Sequence, residues 1–268
     1  MTRILGVDFS GASDAGRKIW VAEGRLDDNG ALELSRCVAA IDLPGGGKAP
    51  AEAVPALARH IASLGVARVG CDFPFSLPRD LVGTRSWRSF ALRYAAEFVD
   101  ADTFRSLMRT RHNAAEHKRM TDRIAKTPFN SYNLRLYRQT WWGISGVLRP
   151  LLAAKAAAVR PQQKMLPGKP TLIEVCAACT LKSIDLYPPY KGKEMSHRKA
   201  RQRILDHLID RGALAAPDRR MRRLLLDNEG GDALDAVIGA VATAHADLVQ
   251  EPDAYQRLEG RVYYEIGV

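Results

Sequence analysis

Four aspartates and one glutamate stand where short apolar runs end or begin. Asp8 closes the run Ile4-Leu5-Gly6-Val7, and Asp72 closes "VARVGC", which Pro74 stops from continuing as a central strand. The two local texts, "GVDFSG" and "GCDFPF", echo each other. Asp232 and Asp235 open the small-residue stretch "GGDALDAVIGAVATAHA", and Glu174 interrupts the apolar run "TLIEVC". An ionised carboxylate is costly to bury unless it is paired or coordinated. Carboxylates brought close together repel until one protonates. A divalent cation removes that conflict and can activate water for in-line attack on a phosphodiester. The set therefore points to a site for Mg²⁺ or Mn²⁺ held by Asp8, Asp72, Asp232 and Asp235.

Each acid also has a plainer reading. Asp8 and Asp72 suit the Asx-turns that follow strands, Asp72 especially before "FPF". Asp232 suits a helix N-cap, and Asp235 three residues on favours the helix dipole. Glu174 could face solvent on an edge strand. The joint pattern decides, because one helix needs only one cap while the set shares one end of a fold.

The elements that must bring these acids together follow from hydrophobic patterning. Residues 3–9 read as a first strand, and 17–26 and 31–41 as a hairpin around "DDNG", giving three antiparallel strands. Residues 51–65 have helical spacing and stop at Gly65, and 66–72 form a strand. Residues 85–160 are mostly helical and Arg-rich. Residues 171–178 read as a strand, 196–214 as a basic amphipathic helix, 230–249 as a tightly packing helix, and "RVYYEIG" as a final short strand. This order predicts an α/β fold of ribonuclease-H-like type: a mixed five-stranded sheet flanked by helices, with strand one between parallel neighbours. Residues 1–84 and 165–268 form the core, and 85–164 a large basic helical insertion. Parallel neighbours would put Asp8 and Asp72 roughly 5 Å apart at one edge.

Taken together, "ILGVDFSGA", "VGCDFPFSLP", "LIEVCAACTL" and "GGDALDAVIGAVATAHA" resemble the predicted ribonuclease-H-like nucleases of domain-of-unknown-function family 429 (DUF429). The last segment also resembles the terminal acidic helix of RuvC-type Holliday-junction resolvases. The resemblance implies metal-dependent phosphodiester hydrolysis on nucleic acid. It makes Asp8, Asp72, Asp232 and Asp235 catalytic metal ligands and Glu174 an accessory catalytic acid. Members of that family often follow this Glu with an aromatic or His and then Pro, whereas here Val175-Cys176-Ala177 follows.

Composition bears on the partner. The chain has 268 residues, a formal charge of +10 and 46% hydrophobic residues, and it lacks any 18-residue apolar run that could span a bilayer. Thirteen Arg/Lys against six Asp/Glu fall between Arg79 and Arg138, and eleven against four between Lys191 and Arg223. Such clusters suit phosphate contacts. The interleaved Trp87, Tyr132, Tyr137, Trp141 and Trp142 could stack unpaired bases or fill a helical core. Ser10, in the turn after Asp8, and Lys191, Lys193, His197 and Arg198 are the candidate substrate-binding residues. A start of Met-Thr-Arg directly before a strand, with four cysteines and no second close pair for zinc, predicts a cytoplasmic protein with reduced thiols. Two other function classes fit some of the features. "GVDFSGA" resembles the first phosphate loop of actin- and sugar-kinase-type phosphotransferases, though a second Asp-Gly loop is missing. A non-catalytic nucleic-acid-binding protein would use its acids only as caps and turns.

Overall fold

Alternation of side chains along the central strands sets what faces what. The computed structural model describes residues 2–83, 86–111 and 116–267; the expected boundary at 84/85 lies outside them. The chain runs β1 (Arg3–Asp8), one helical turn α1 (Ala15–Lys18), then the hairpin β2 (Trp20–Leu26) and β3 (Leu32–Ala39). Helix α2 (Pro50–Ala62) leads to β4 (Ala67–Asp72). Next come α3 (Arg79–Val82), α4 (Trp87–Glu97), α5 (Ala101–Arg111), α6 (Met120–Ile124), α7 (Tyr137–Trp142), a π-helical stretch over Gly143–Leu148, and α8 (Arg149–Ala153). The chain then forms β5 (Ala158–Val159), β6 (Thr171–Val175), α9 (Ala177–Ser183), α10 (Met195–Asp210), α11 (Arg219–Asp227), α12 (Asp232–His245), α13 (Gln256–Glu259) and β7 (Val262–Tyr263).

The result is an α/β fold on one mixed seven-stranded sheet, ordered β3-β2-β1-β4-β6-β5, with β7 also pairing β6. Two corrections follow. The sheet has seven strands rather than five: β7 falls within the short strand expected over "RVYYEIG" and joins the sheet beside β6, and β5 adds two further residues there, too few to show a period of two. Strand β1 is parallel only to β4; its other neighbour, β2, is antiparallel because a hairpin-like connection leads straight into it. The strand expected from residue 17 starts at Trp20, since residues 15–18 form the helical turn. The strand expected over 171–178 ends at Val175, and Cys176 caps α9, its Sγ accepting the Cys179 N–H at 3.2 Å.

Each sheet face has its own core. Leu5, Val7, Val69, Cys71 and Leu172 point to the side covered by α2 and the helices between β4 and β5. Ile4 and Ala22 point to the other side, against α10, α11 and α12. Helix α12 packs across β1, β2 and β4. It sits so close that a Cβ on Gly6 would lie 2.1 Å from Ala236 O and Ala240 N, so only glycine fits there. The Ala- and Gly-rich composition of α12 serves the same approach.

The helices between β4 and β5 share the sheet's core rather than forming a separate one. Their aromatics are correspondingly spent on packing. Trp87, Tyr132 and Tyr137 are buried, which corrects their reading as base-stacking groups. The Trp87 indole N–H donates to Phe75 O at 2.9 Å, and Trp141 donates to Phe98 O at 2.8 Å. Replacing Trp87 with Phe leaves the Phe75 carbonyl unpaired in the core. It is expected to cost about 1–3 kcal/mol in a urea titration.

Candidate active site at the strand ends

The period of two that packs β1 and β4 also aims their last residues. Ile4, Gly6 and Asp8 share one face of β1, and Arg68, Gly70 and Asp72 share the same face of β4, toward α12. Asp8 and Asp72 are direct partners across the parallel pair. The echo in their local texts has a structural counterpart: Phe9 and Phe73 turn back into the core and pack at 4.8 Å between ring centroids. Beyond Asp72, the Gln139 amide donates to the Asp72 carbonyl and secures the strand end.

Helix α12 delivers the second pair of acids. Its N-cap is Gly231, with φ of 77°, and the Ala233 N–H is accepted by Asn228 Oδ1 at 3.2 Å. The plainer reading of Asp232 as N-cap, with Asp235 at the third position, does not hold. Asn228 and Gly231 cap the helix, so neither aspartate side chain is engaged in capping. Both line a cleft of about 330 Å³ together with Asp8, Ser10, Lys18, Asp72, Gln139, Tyr190 and Lys191.

Proximity shows in the titration of these groups. Burial, then Asp235, pushes the Asp8 carboxyl well above the usual carboxylate range, with Asp72 and Asp232 adding to the shift and Lys191 opposing it. Asp8 is 9% exposed, and among the described residues its carboxylate accepts no hydrogen bond and forms no ion pair. Asp72 is half-buried and is pushed up to about 7, by burial first and Asp235 second, against Lys191 and the Ala177 N–H. Burial raises Asp232 as well, against Lys18, whose ammonium lies 3.7 Å away. Asp235, also buried, accepts from Tyr190 Oη at 2.6 Å and pairs with Lys191 Nζ at 2.5 Å.

A carboxyl group with a raised folded pKa favours the folded state below its unfolded pKa, and that contribution is lost as pH climbs through the folded value. For Asp72 the window runs from about 4 to about 7. In chelator-containing buffer, the wild type is therefore expected to lose more thermal stability between pH 4.5 and 7.5 than Asp72→Asn does. Equal slopes in the two proteins would refute the assignment.

Glu174 lies in a different place. It pairs with Cys71, one residue before Asp72, and therefore faces the opposite side of the sheet. There it is buried against Arg119, whose Nη2 donates to Oε1 at 2.5 Å and Nη1 to Oε2 at 2.8 Å. The Phe75 N–H fills the remaining position on Oε2 at 2.9 Å. Arg119 also holds Asp122 at 2.7 Å, so one buried guanidinium answers two buried acids. Glu174 reaches the same cleft from below, as do Arg119 and Asp122.

The substrate-binding candidates divide. Ser10 and Lys191 line the cleft, whereas Lys193, His197 and Arg198 do not. Lys193 is exposed beside Glu229, Arg198 pairs with Asp227 at 2.9 Å, and His197 packs on Gly192. Lys193 lies in the loop before α10, whereas His197 and Arg198 lie in the first turns of α10 itself; Arg201, buried farther along that helix, holds the carbonyls of Tyr190, Gly192 and Leu226. Sequence reasoning passed over Lys18, Tyr190, Gln139 and Arg119. The one signal was indirect: a Glu inside a buried strand demands a cation somewhere, without indicating which one.

Among the described residues, no group of three or more His, Cys, Asp or Glu side chains is arranged to hold a metal ion, and no helix is long and apolar enough to cross a membrane. Comparison with protein-family models, curated proteins and solved structures returns no match to this chain.

Proposed function

We propose that this chain is a divalent-metal-dependent phosphodiesterase of ribonuclease-H-like type that hydrolyses nucleic acid. The observation that carries the reading is Asp8. Its side chain is largely buried, and its carboxylate opens into the cleft aligned with Asp72 and faced by Asp235, with no hydrogen bond or ion pair among the described residues. An uncompensated buried carboxylate is expensive, and a cation is the simplest group that removes the expense. The strand order, three antiparallel strands followed by parallel additions through β4 and β6, supports the fold type. So does the resemblance of the four acid-bearing segments to DUF429.

The donor set fits Mg²⁺ or Mn²⁺, which prefer carboxylate oxygen over nitrogen or sulfur. Asp8, Asp72 and Asp235 line one cleft but are not spaced as a ready-made ligand set, so they would have to close on the ion, with Asp232 beside them. When bound, it supplies a water of lowered pKa and charge stabilisation at the phosphoryl oxygens. Other roles belong to the chain itself. Lys18 and Arg135, at the cleft wall, balance the charge of an incoming phosphodiester. Ser10 offers a hydroxyl at the turn. Glu174, Arg119 and the Phe75 N–H brace β6 against the loop after Asp72, which keeps the acid-bearing strand end in place.

The test is cleavage of labelled single-stranded, duplex and junction DNA and RNA with Mg²⁺ or Mn²⁺, run beside Asp8→Asn. Metal-dependent cleavage lost in the variant supports the reading. Cleavage retained in the variant sinks it, and tight ATP binding without cleavage would favour the phosphotransferase class.

A further inference from the structure

Lys191 is set among the acids in an uncommon way. Its ammonium lies 2.5 Å from Asp235, yet its side chain is 53% exposed. Its backbone is clamped on both sides: Arg201 Nη1 donates to Tyr190 O at 2.6 Å and to Gly192 O at 3.1 Å, and the Gly192 N–H donates to Glu229 O at 2.8 Å. Gly231 permits this close seat, since a Cβ there would stand 3.0 Å from the Tyr190 ring and 3.2 Å from the Lys191 stem. The loop is therefore fixed while the half-exposed side chain arches in from the rim, its ammonium 5.7 Å from the centre of the Tyr190 ring.

Charge explains why it arches in. Asp8, Asp72, Asp232 and Asp235 face one cleft, and Lys18 reaches only Asp232. An ammonium on Asp235 is the nearest available substitute for a cation. Resting on the metal reading above, we propose that Lys191 is a resident counter-ion that a divalent cation must displace to load the site. Binding of the ion and departure of the ammonium are then one exchange at Asp235. The residue holds the acids together in the metal-free protein and weakens metal affinity by competing for them. A lysine whose task was only to grip substrate phosphate would leave metal affinity in the free protein unaffected.

Calorimetric titration with Mn²⁺ tests the exchange directly, without any substrate. Lys191→Met keeps the stem and removes the charge, and it is expected to bind Mn²⁺ about tenfold more tightly than wild type. Lys191→Arg keeps the charge and is expected to bind no more tightly than wild type. In the wild-type protein, labelling of Lys191 by an amine-reactive reagent, read by mass spectrometry, should rise when Mn²⁺ is added. Mn²⁺ binding that is equal or weaker in Lys191→Met, or labelling unchanged by bound Mn²⁺, overturns the exchange and leaves the metal site standing. Absence of Mn²⁺ binding from every variant overturns the metal reading and the exchange with it.

Discussion

Asp8→Asn is expected to abolish divalent-dependent cleavage, by roughly 1,000-fold or more, and at the same time to stabilise the metal-free protein. Loss follows because the amide cannot supply the negative charge a hard cation requires. The gain in stability follows from the same geometry. In the metal-free state Asp8 is buried beside Asp72, Asp232 and Asp235, with only the Lys191 charge opposing the repulsion. Removing one charge relieves both desolvation and repulsion. About 1 kcal/mol of relief corresponds to roughly 2–4 °C in Tm for a chain of this size. The measurement is a thermal melt at pH 7.5 in chelator, paired with the cleavage assay. A variant that loses both activity and stability would mark Asp8 as an architectural residue. Opposite signs mark a site whose function is carried at the expense of folding.

Arg119→Met is expected to do the reverse, with its main effect on stability. The guanidinium is 1% exposed and donates to Glu174, to Asp122 and to the Glu259 carbonyl at 3.1 Å. Without it, two buried carboxylates lose their counter-charge together. Breaking a buried pair by deleting one partner costs about 3–5 kcal/mol. Glu174→Gln, by contrast, keeps acceptor and volume, and its cost should be smaller because the Asp122 pair survives. Chemical denaturation of the two variants settles the order. If Arg119→Met were as stable as wild type, the bracing role given to Glu174 would fail.

Glu174 also illustrates what a strand pattern conceals. Its position inside "TLIEVC" marked it as an acid out of place, and that mark is local. Which side of the sheet it faces depends on register with β4, and its partner is 55 residues earlier in the chain. Nothing in the sequence distinguishes Arg119 from the other basic residues of its stretch. The aromatics of that stretch were equally ambiguous. Trp87 and Tyr132 look the same in sequence whether they stack bases or fill a core, and only packing against the sheet separates the two.

The substrate-binding candidates near Lys191 show the same limit. Lys191, Lys193, His197 and Arg198 crowd one short stretch, yet only Lys191 reaches the cleft. Lys191 lies in the loop before α10 while His197 and Arg198 lie on the helix, a division that a basic composition cannot express.

What the residues alone determined is the order of the elements and the acids that end them. An apolar run, a carboxylate and a chain-breaking turn are neighbours in sequence, so local sterics and burial set Asp8 and Asp72 at strand ends without outside help. The Ala- and Gly-rich text of α12 likewise announced a helix pressed on a sheet. Only the tertiary structure decided that Asp8 and Asp72 align in register, that Asp235 faces them, that Glu174 turns to the other face and that Lys191 pairs with Asp235. Those are contacts between segments far apart in the chain. Their energies depend on register, on side-chain parity and on mutual burial, which exist only once the sheet has formed.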